Sequence, residues 1–317
     1  MPSNSSAYGP DVIAPDGTIL KSPYYEYIPT KWICIMFVGL YALTTILHFG
    51  QSLRYRMWFL LPTVCLAGVG EVIGWGGRSW SSFSPLLQTP FLIQIVATIL
   101  APTPFVAALF ILFARLTNRL GIRYSRLSPQ WYSRIFLSCD FVSLIIQGAG
   151  GGIAATANDS AGSNTGSKIM LGGILFQLIS LIAFITLAAE YLWRYSQDRT
   201  VRRHRKTLES TESQTTLTYR FEWDTKIKLF ICGLTFITTC ILIRSIYRLI
   251  ELADGWNGRI ISTQVYFNVL DGGMILISMF ALNVFHPGYF LDESQVPYSP
   301  MREKHATETT ETLVPPV

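Results

Sequence analysis

Charged residues are scarce in this sequence. Asp, Glu, Lys and Arg make up 14% of its 317 residues, and hydrophobic residues make up 50%, whereas soluble domains carry about 25% charged residues. The formal net charge is only +5, and there is no basic stripe with interleaved aromatic residues of the kind that binds nucleic acid. The composition therefore predicts a membrane protein and excludes a nucleic-acid partner.

Three further absences exclude other classes of protein. The cysteines are odd in number and lie in or beside apolar segments, which argues against a disulfide framework. Residues 1–31 lack the apolar core of a cleavable signal peptide, so we expect the first apolar segment to act as the targeting signal. The sequence also has no Gly-x-x-x-x-Gly-Lys-Ser/Thr loop, and transport driven directly by ATP is therefore not expected.

Seven long apolar segments are present. A helix needs about 20 residues to cross a bilayer, and these segments are too long for barrel strands of about 10 residues. Because backbone polar groups in lipid must be paired within the segment, each is predicted to be a helix. The fold class predicted is an all-α bundle of seven transmembrane helices. The predicted spans are Trp32–Gly50, Trp58–Trp75, Phe91–Ala114, Ile135–Ala155, Ile169–Tyr191, Ile227–Ile250 and Ser262–Phe285.

Positive charge is concentrated in alternate loops. The loops after the first, third and fifth spans are rich in Arg and Lys, above all the loop 194–226, whereas the other loops hold few. Because basic loops stay in the cytosol, we expect the N-terminus outside and the C-terminus in the cytosol. Asn4 and Asn158 each begin a glycosylation triplet on the predicted outer side.

The organisation predicted from these patterns has four parts. An extracellular tail covers residues 1–31, and a seven-helix transmembrane domain covers residues 32–290. Within that domain lies the basic cytosolic loop 194–226, and a disordered cytosolic tail covers residues 291–317. The basic loop is interpreted as a solvated loop of the positive-inside type. A phosphorylatable contact with anionic lipid stays open as the alternative.

Ionisable side chains occur in four of the spans, and together with other polar residues or glycines they recur at intervals of three or four residues. This spacing places each set on one face of its helix, and charges inside a bilayer are costly enough to mark functional sites. We expect the sets on the second, sixth and seventh spans to form a network of three acids and three bases around an outward-opening cavity. The candidate substrate-binding residues of all four sets are Glu71, Arg78, Asp140, Gln147, Arg244, Arg248, Glu251, Gln264 and Asp271.

Two interpretations of this network stay open. Its ion pairs fix the register of the helices, or it binds the charged head of an amphiphile whose tail lies among apolar side chains. Pro102 and Pro104 are predicted to bend or break the third span near its middle, as a candidate hinge. Small residues are predicted to let the fourth and fifth spans pack closely. These residues are Gly148, Gly150, Gly151, Gly152, Gly172 and Gly173.

Taken in order, these residues resemble the fungal lipid-translocating exporter family, also called the RTA-like or resistance-to-aminocholesterol family. The resemblance covers about residues 30–290. It rests on Glu71-x-x-Gly74-Trp75-x-x-Arg78, Ala101-Pro102, Asp140 with Gln147, Arg244-x-x-x-Arg248-x-x-Glu251, Asp271 and His286-Pro287-Gly288.

The resemblance implies a seven-helix protein of the plasma membrane or an internal membrane. It also implies export or translocation of sphingoid long-chain bases or related amphiphiles, and resistance to toxic lipids or drugs. Two positions depart from the family pattern, because Gln264 replaces a common acid and Asn268 replaces a frequent Tyr. The head group therefore stays open: carboxylates suit a cationic base, whereas arginines favour a phosphate or an acidic head.

Other functions of a seven-helix bundle require particular residues in the spans. A receptor or sensor of lipid or pH stress stays open as the alternative, although no acid adjoins Arg115 as in conventional G-protein-coupled receptors. A metal hydrolase needs three protein ligands, and only His48 and His286 lie near the spans. A retinal pump needs a lysine that the seventh span lacks. The sequence thus predicts no enzyme, metal or cofactor, and its predicted partners are membrane lipids and amphiphilic small molecules.

Overall fold

The computed structural model describes residues 12–14, 16, 18–157, 159–201, 225–255 and 258–291. Within these residues the regular structure is helical, apart from an isolated bridge between Ile13 and Ile19. Seven helical segments are long and apolar enough to cross a membrane, which confirms the predicted fold class. These spans are Lys31–Arg54, Trp58–Phe83, Gln88–Leu120, Pro129–Thr156, Ala161–Ser196, Thr225–Asp254 and Gln264–Phe290.

The third span is interrupted where its prolines lie. One helix covers Gln88–Leu100 and the next covers Pro102–Leu120. Ala101, between them, keeps helical dihedrals of φ −56° and ψ −40°, so the span continues past the interruption. The interruption arises because proline has no backbone N–H to donate to the preceding turn. The structure therefore shows a local loss of helical hydrogen bonds, and the hinge itself stays a prediction.

Two spans contain π-helical turns that the sequence analysis did not predict. One covers Leu61–Cys65 near the start of the second span, and the other covers Phe267–Gly273 in the seventh. The second π-helix carries the buried residues Asn268 and Asp271. Such turns hold an extra residue in the helix and often mark functional sites.

The fourth and fifth spans pack closely, as the glycines predict. A β-carbon on Gly150 would lie 2.5 Å from the backbone nitrogen of Met170, and one on Gly173 would lie 2.8 Å from Cγ of Gln147. The other glycines contribute less, since a β-carbon on Gly151 makes only van der Waals contact. One on Gly148, Gly152 or Gly172 meets no atom within 4 Å. The prediction is therefore confirmed at two positions of the six.

The third span is the centre of the bundle, with 67% of its most apolar window buried. Phe110 and Phe113 in its second half pack against Phe184 of the fifth span, with ring centroids 4.6 and 5.4 Å away. Large apolar side chains of the first and fourth spans, such as Ile46 and Phe141, are exposed on the outside of the bundle. This arrangement suits helices that face lipid on one side and the third span on the other.

Residues 22–27, which we call the N-terminal strap, lie against one end of the bundle. The Ser22 hydroxyl donates to the carbonyl of Pro85 at 2.8 Å, and the Tyr25 hydroxyl donates to Oε1 of Gln94 at 2.9 Å. Tyr25 is only 4% exposed. This stretch was predicted to be part of a tail, because Tyr24, Tyr25 and Tyr27 lie in a short segment without helical periodicity.

Candidate functional site

Five buried ionisable residues of the second, sixth and seventh spans lie close together, and we call them the charged cluster. Its members are Glu71, Arg244, Arg248, Glu251 and Asp271. Asp271 is at the centre: its Oδ1 lies 2.9 Å from Nε of Arg244 and 3.2 Å from Nε of Arg248. The π-helical turn around Asp271 places this carboxylate between two guanidinium groups one helical turn apart on the sixth span.

Glu251 completes the sixth-span side of the charged cluster. Its Oε2 lies 2.5 Å from Nη1 of Arg248, and its Oε1 accepts a hydrogen bond from the Tyr247 hydroxyl at 2.9 Å. Arg248, Glu251 and Tyr247 are all buried. This carboxylate is therefore held by two neighbours on its own helix.

The third span contributes Thr98, which was not among the predicted site residues. Nη2 of Arg244 donates to the carbonyl of Thr98 at 2.7 Å, and Nη2 of Arg248 donates to its hydroxyl at 3.1 Å. In a regular helix the Thr98 carbonyl would accept from the N–H of residue 102. Pro102 has no N–H, so the carbonyl is free for Arg244. The signal in the sequence was a proline four residues after a threonine in an apolar span.

Glu71 is the carboxylate of the charged cluster that lacks a close cation. It is 1% exposed, and its Oε2 has no hydrogen-bond partner within the described residues. It interacts electrostatically with Asp271, Arg244 and Arg248, but it forms no ion pair of 4.0 Å or less with a described residue. The charged cluster thus holds three carboxylates and two guanidiniums.

Arg78 lies apart from the charged cluster, which corrects the expectation of three acids and three bases. Its guanidinium carbon lies 4.4 Å from the ring centroid of Phe267 and 5.2 Å from that of Tyr25, and Nη2 donates to the Tyr27 hydroxyl at 2.6 Å. Within the described residues no carboxylate lies within 4.0 Å of it. Aromatic faces, which attract cations, and the N-terminal strap surround this buried charge.

The remaining candidates are distributed over the bundle. Nε2 of Gln147 donates to Oε1 of Gln177 at 3.0 Å, and Oε1 of Gln264 accepts from the Thr30 hydroxyl at 3.1 Å. Asp140 is 1% exposed, and its Oδ2 has no hydrogen-bond partner among the described residues. Asn4 and Asn158 lie outside the described residues.

Within the described residues, the spaces found at the charged cluster are too small to form the outward-opening cavity that was expected there. Two small spaces reach its arginines, and each has a volume of about 10 Å³, which is near the minimum for one water molecule. The first borders Gln147, Arg244 and Arg248, and the second borders Arg248 and Glu251. The cluster is therefore packed closed in this conformation.

A larger groove lies beside it, and we call it the strap-side groove. It has a volume of about 270 Å³ and lies between the third, fourth and fifth spans, with Tyr24 of the N-terminal strap in its wall. Its wall is mostly apolar and includes Phe91, Ile95, Ile99 and Met170. The polar side chain of Gln147 also lines it. Ile99 and Gln147 also border the small space next to Arg244 and Arg248. The groove thus ends one layer of side chains away from the charged cluster.

Comparison with known proteins gives a consistent set of relatives. The family model described as "RTA1 like protein" matches residues 64–294. "Sphingoid long-chain base transporter RSB1" of Saccharomyces cerevisiae is 29% identical over 285 residues, covering 85% of this chain and 74% of that protein. "Protoporphyrin uptake protein 1" of the same species is 26% identical over 297 residues, covering 82% and 90%. No solved structure matches the chain. With seven apolar helices, this likeness identifies a multi-pass integral membrane protein.

Proposed function

The chain belongs to the RTA1-like protein family, and on this premise we propose that it translocates sphingoid long-chain bases or closely related cationic amphiphiles across the membrane. The relative named as a sphingoid long-chain base transporter supports this proposal. So does the composition of the charged cluster, which has one carboxylate more than it has guanidiniums.

The observation that carries the proposal is the unpaired carboxylate of Glu71. Asp271 is shared by Arg244 and Arg248, and Glu251 is held by Arg248 and Tyr247. A buried carboxylate without a partner is costly, so a cation supplied by the substrate would stabilise the ionised form of Glu71. The amine of a long-chain base is such a cation, and a phosphate head would instead be repelled by the surplus acid.

The strap-side groove suits the hydrocarbon chain of the same molecule. Its wall is mostly apolar, and it ends next to the charged cluster. A chain in the groove would therefore place its head near the carboxylates. In this arrangement the groove binds the tail through the hydrophobic effect, and the charged cluster selects the head.

We propose that the N-terminus is outside the cell and that the C-terminus is cytosolic. The uneven distribution of Arg and Lys over the loops supports this orientation. The strap-side groove and the charged cluster would then lie in the outer half of the membrane, where an exported base is released. The relatives named as transporters also support a function without an enzymatic step, and no cofactor is part of the proposal.

Export of a fluorescent long-chain base from cells tests this function. Cells that produce the wild-type chain should expose the label at the outer surface faster than cells with empty vector. Glu71→Gln should lower this rate about tenfold, since it removes the carboxylate that would pair with the amine and leaves both ion pairs of Asp271 in place. An N-acetylated probe, which has no amine charge, is the matched control and should respond little to the substitution.

Equal rates in wild-type and empty-vector cells, at equal intracellular loading of the probe, would contradict the exporter function. That result would favour the alternative of a lipid or pH sensor on the same bundle. Export of both probes by the wild type, with no effect of Glu71→Gln on either, would contradict the assignment of the amine site.

A further inference from the structure

A second groove lies toward the opposite end of the bundle, and we call it the loop-side groove. It has a volume of about 210 Å³ and lies where the third, fifth and sixth spans meet. Apolar side chains make up most of its wall, including Leu109, Phe113, Phe184, Leu192 and Leu242. Along the helix axes, the charged cluster lies between the strap-side groove and the loop-side groove.

The threonines of the loop-side groove do not make it polar. Thr235, Thr238 and Thr239 border it, and each hydroxyl donates to the carbonyl four residues earlier in its own helix, at 2.7 to 2.9 Å. With their protons used in this way, these side chains present mainly methyl groups. The loop-side groove is therefore suited to a hydrocarbon chain and offers little to a polar head.

Between the levels of the two grooves lies a junction, where the third, fourth, fifth and sixth spans meet; it shares lining residues with the strap-side groove and none with the loop-side groove. This junction is the small space beside the arginines, with a volume of about 10 Å³. It is bordered by Ile99, Gln147, Ile174, Gln177, Leu178, Arg244, Ser245 and Arg248. Ile99 and Gln147 connect it to the strap-side groove. Toward the loop-side groove, the buried side chains Leu181 and Ile241 follow on the fifth and sixth spans.

The hydrogen bond from Gln147 to Gln177 crosses this junction from the fourth span to the fifth. The two backbones that carry it are held together by the close contacts of Gly150 and Gly173. Helix separation would break that packing, whereas rotation of the two amides would not. The amide pair can therefore open by rotation about the outer bonds of the two side chains, of which Gln147 is buried and Gln177 is half-buried.

We propose that the Gln147–Gln177 pair is the gate between the two grooves. The head of the translocated amphiphile passes by replacing this hydrogen bond with its own bonds to both amides, while its chain moves from one groove to the other. A head that both donates and accepts hydrogen bonds, such as an amine with neighbouring hydroxyls, fits this exchange. The inference rests on the proposed function, and it assigns the loop-side groove to the hydrocarbon chain and Gln177 to head-group selection.

The test uses the full chain in liposomes and measures the rate at which two labelled lipids change leaflet. Both probes have the same chain; one has an amine with two hydroxyls and the other has a bare amine. The wild type should move the hydroxylated probe about tenfold faster, which corresponds to about 1.4 kcal/mol in the barrier. Gln147→Met and Gln177→Met, which conserve side-chain volume, should each slow the hydroxylated probe to the rate of the bare amine.

Gln51→Met is the matched control, because the Gln51 amide also bonds across two spans, to the carbonyl of Asn283 at 3.1 Å, but lies away from the grooves. It should keep the preference of the wild type. Equal slowing of both probes by the gate variants would indicate a structural role and overturn the gate, as would an unchanged preference. If the wild type moves neither probe faster than protein-free liposomes, the proposed function fails instead.

Discussion

At the scale of single residues, Pro102 of the third span acts on the charged cluster through a carbonyl. Pro102 leaves the Thr98 carbonyl free, and Arg244 occupies it at 2.7 Å. The hydrogen bond is charge-assisted and buried, the kind that contributes most. Pro104 has the same effect on the carbonyl of Leu100, which lies outside the cluster. Two prolines that look equivalent in the sequence therefore have different neighbours.

This difference predicts unequal effects of the same substitution. Pro102→Ala restores an N–H that competes with Arg244 for the Thr98 carbonyl, and we expect transport of a long-chain base to fall about tenfold. Pro104→Ala should leave the rate within about twofold of the wild type. The measurement is leaflet exchange in liposomes at matched protein content. Equal losses in both variants would instead favour a hinge that needs both prolines.

The residues of the charged cluster were predictable from the sequence, whereas the position of Arg78 was not. Glu71, Arg244, Arg248, Glu251 and Asp271 were predicted to meet, because spacing by three and four residues places them on faces that must avoid lipid. Arg78 was included in the same network, but the Phe267 ring contacts both its guanidinium and that of Arg248, and Arg78 makes no ion pair within the described residues. The face of a helix does not show which aromatic side chain of another span lies beside a charge.

At the scale of elements, the spans were predictable because each is an apolar run of membrane length. The N-terminal strap and the π-helical turn at Phe267–Gly273 were not, since both depend on contacts with distant parts of the chain. The strap is fastened by tyrosines: Tyr25 donates to Gln94 and Tyr27 accepts from Arg78. Phenols are polar groups without periodicity, and a single sequence does not reveal their partners.

Alkaline pH should release the N-terminal strap. Burial raises the pKa of Tyr25 from 10.0 to about 12, because the charged phenolate is disfavoured away from water. A raised pKa contributes stability that is complete below pH 10 and is lost as the pH rises toward 12. We expect amide hydrogen exchange of residues 22–27, corrected for its intrinsic pH dependence, to stay constant below pH 10 and to increase above it.

Tyr25→Phe provides the control for this pH dependence. The variant lacks the titrating hydroxyl and its hydrogen bond to Gln94, so its strap should exchange faster at neutral pH and show a smaller increase above pH 10. An identical alkaline increase in the wild type and the variant would assign the release to another group.

At the scale of the whole molecule, the fourth and fifth spans form a tightly packed pair beside two grooves. The pair depends on backbone contact at Gly150 and Gly173, which leaves no room for a β-carbon. Composition predicted that glycines would pack these spans, but it did not predict which ones. The glycine that faces a neighbour depends on the rotation of each helix, and this is set by packing against the rest of the bundle.

Neighbouring glycines of the fifth span test this packing directly. A β-carbon on Gly173 would lie 3.1 Å from the backbone nitrogen of Gln147 as well as near its Cγ, whereas one on Gly172 meets nothing within 4 Å. Gly173→Ala should therefore lower thermal stability in detergent by a few degrees, as overpacking costs about 1–3 kcal/mol. Gly172→Ala should leave the melting temperature unchanged. A larger loss for Gly172→Ala would show that the helix is rotated differently.

The π-helical turn of the seventh span has a consequence for how this family is compared across species. The turn contains one residue more than a regular helix would, so the side chains before and after it are out of phase by about 100°. A relative that lacks this residue would have a seventh span of nearly the same hydropathy and only one residue shorter. The counterpart of Asp271 would nevertheless point away from the two arginines. Alignments of the seventh span therefore need to treat a single-residue gap within 267–273 as a change in chemistry.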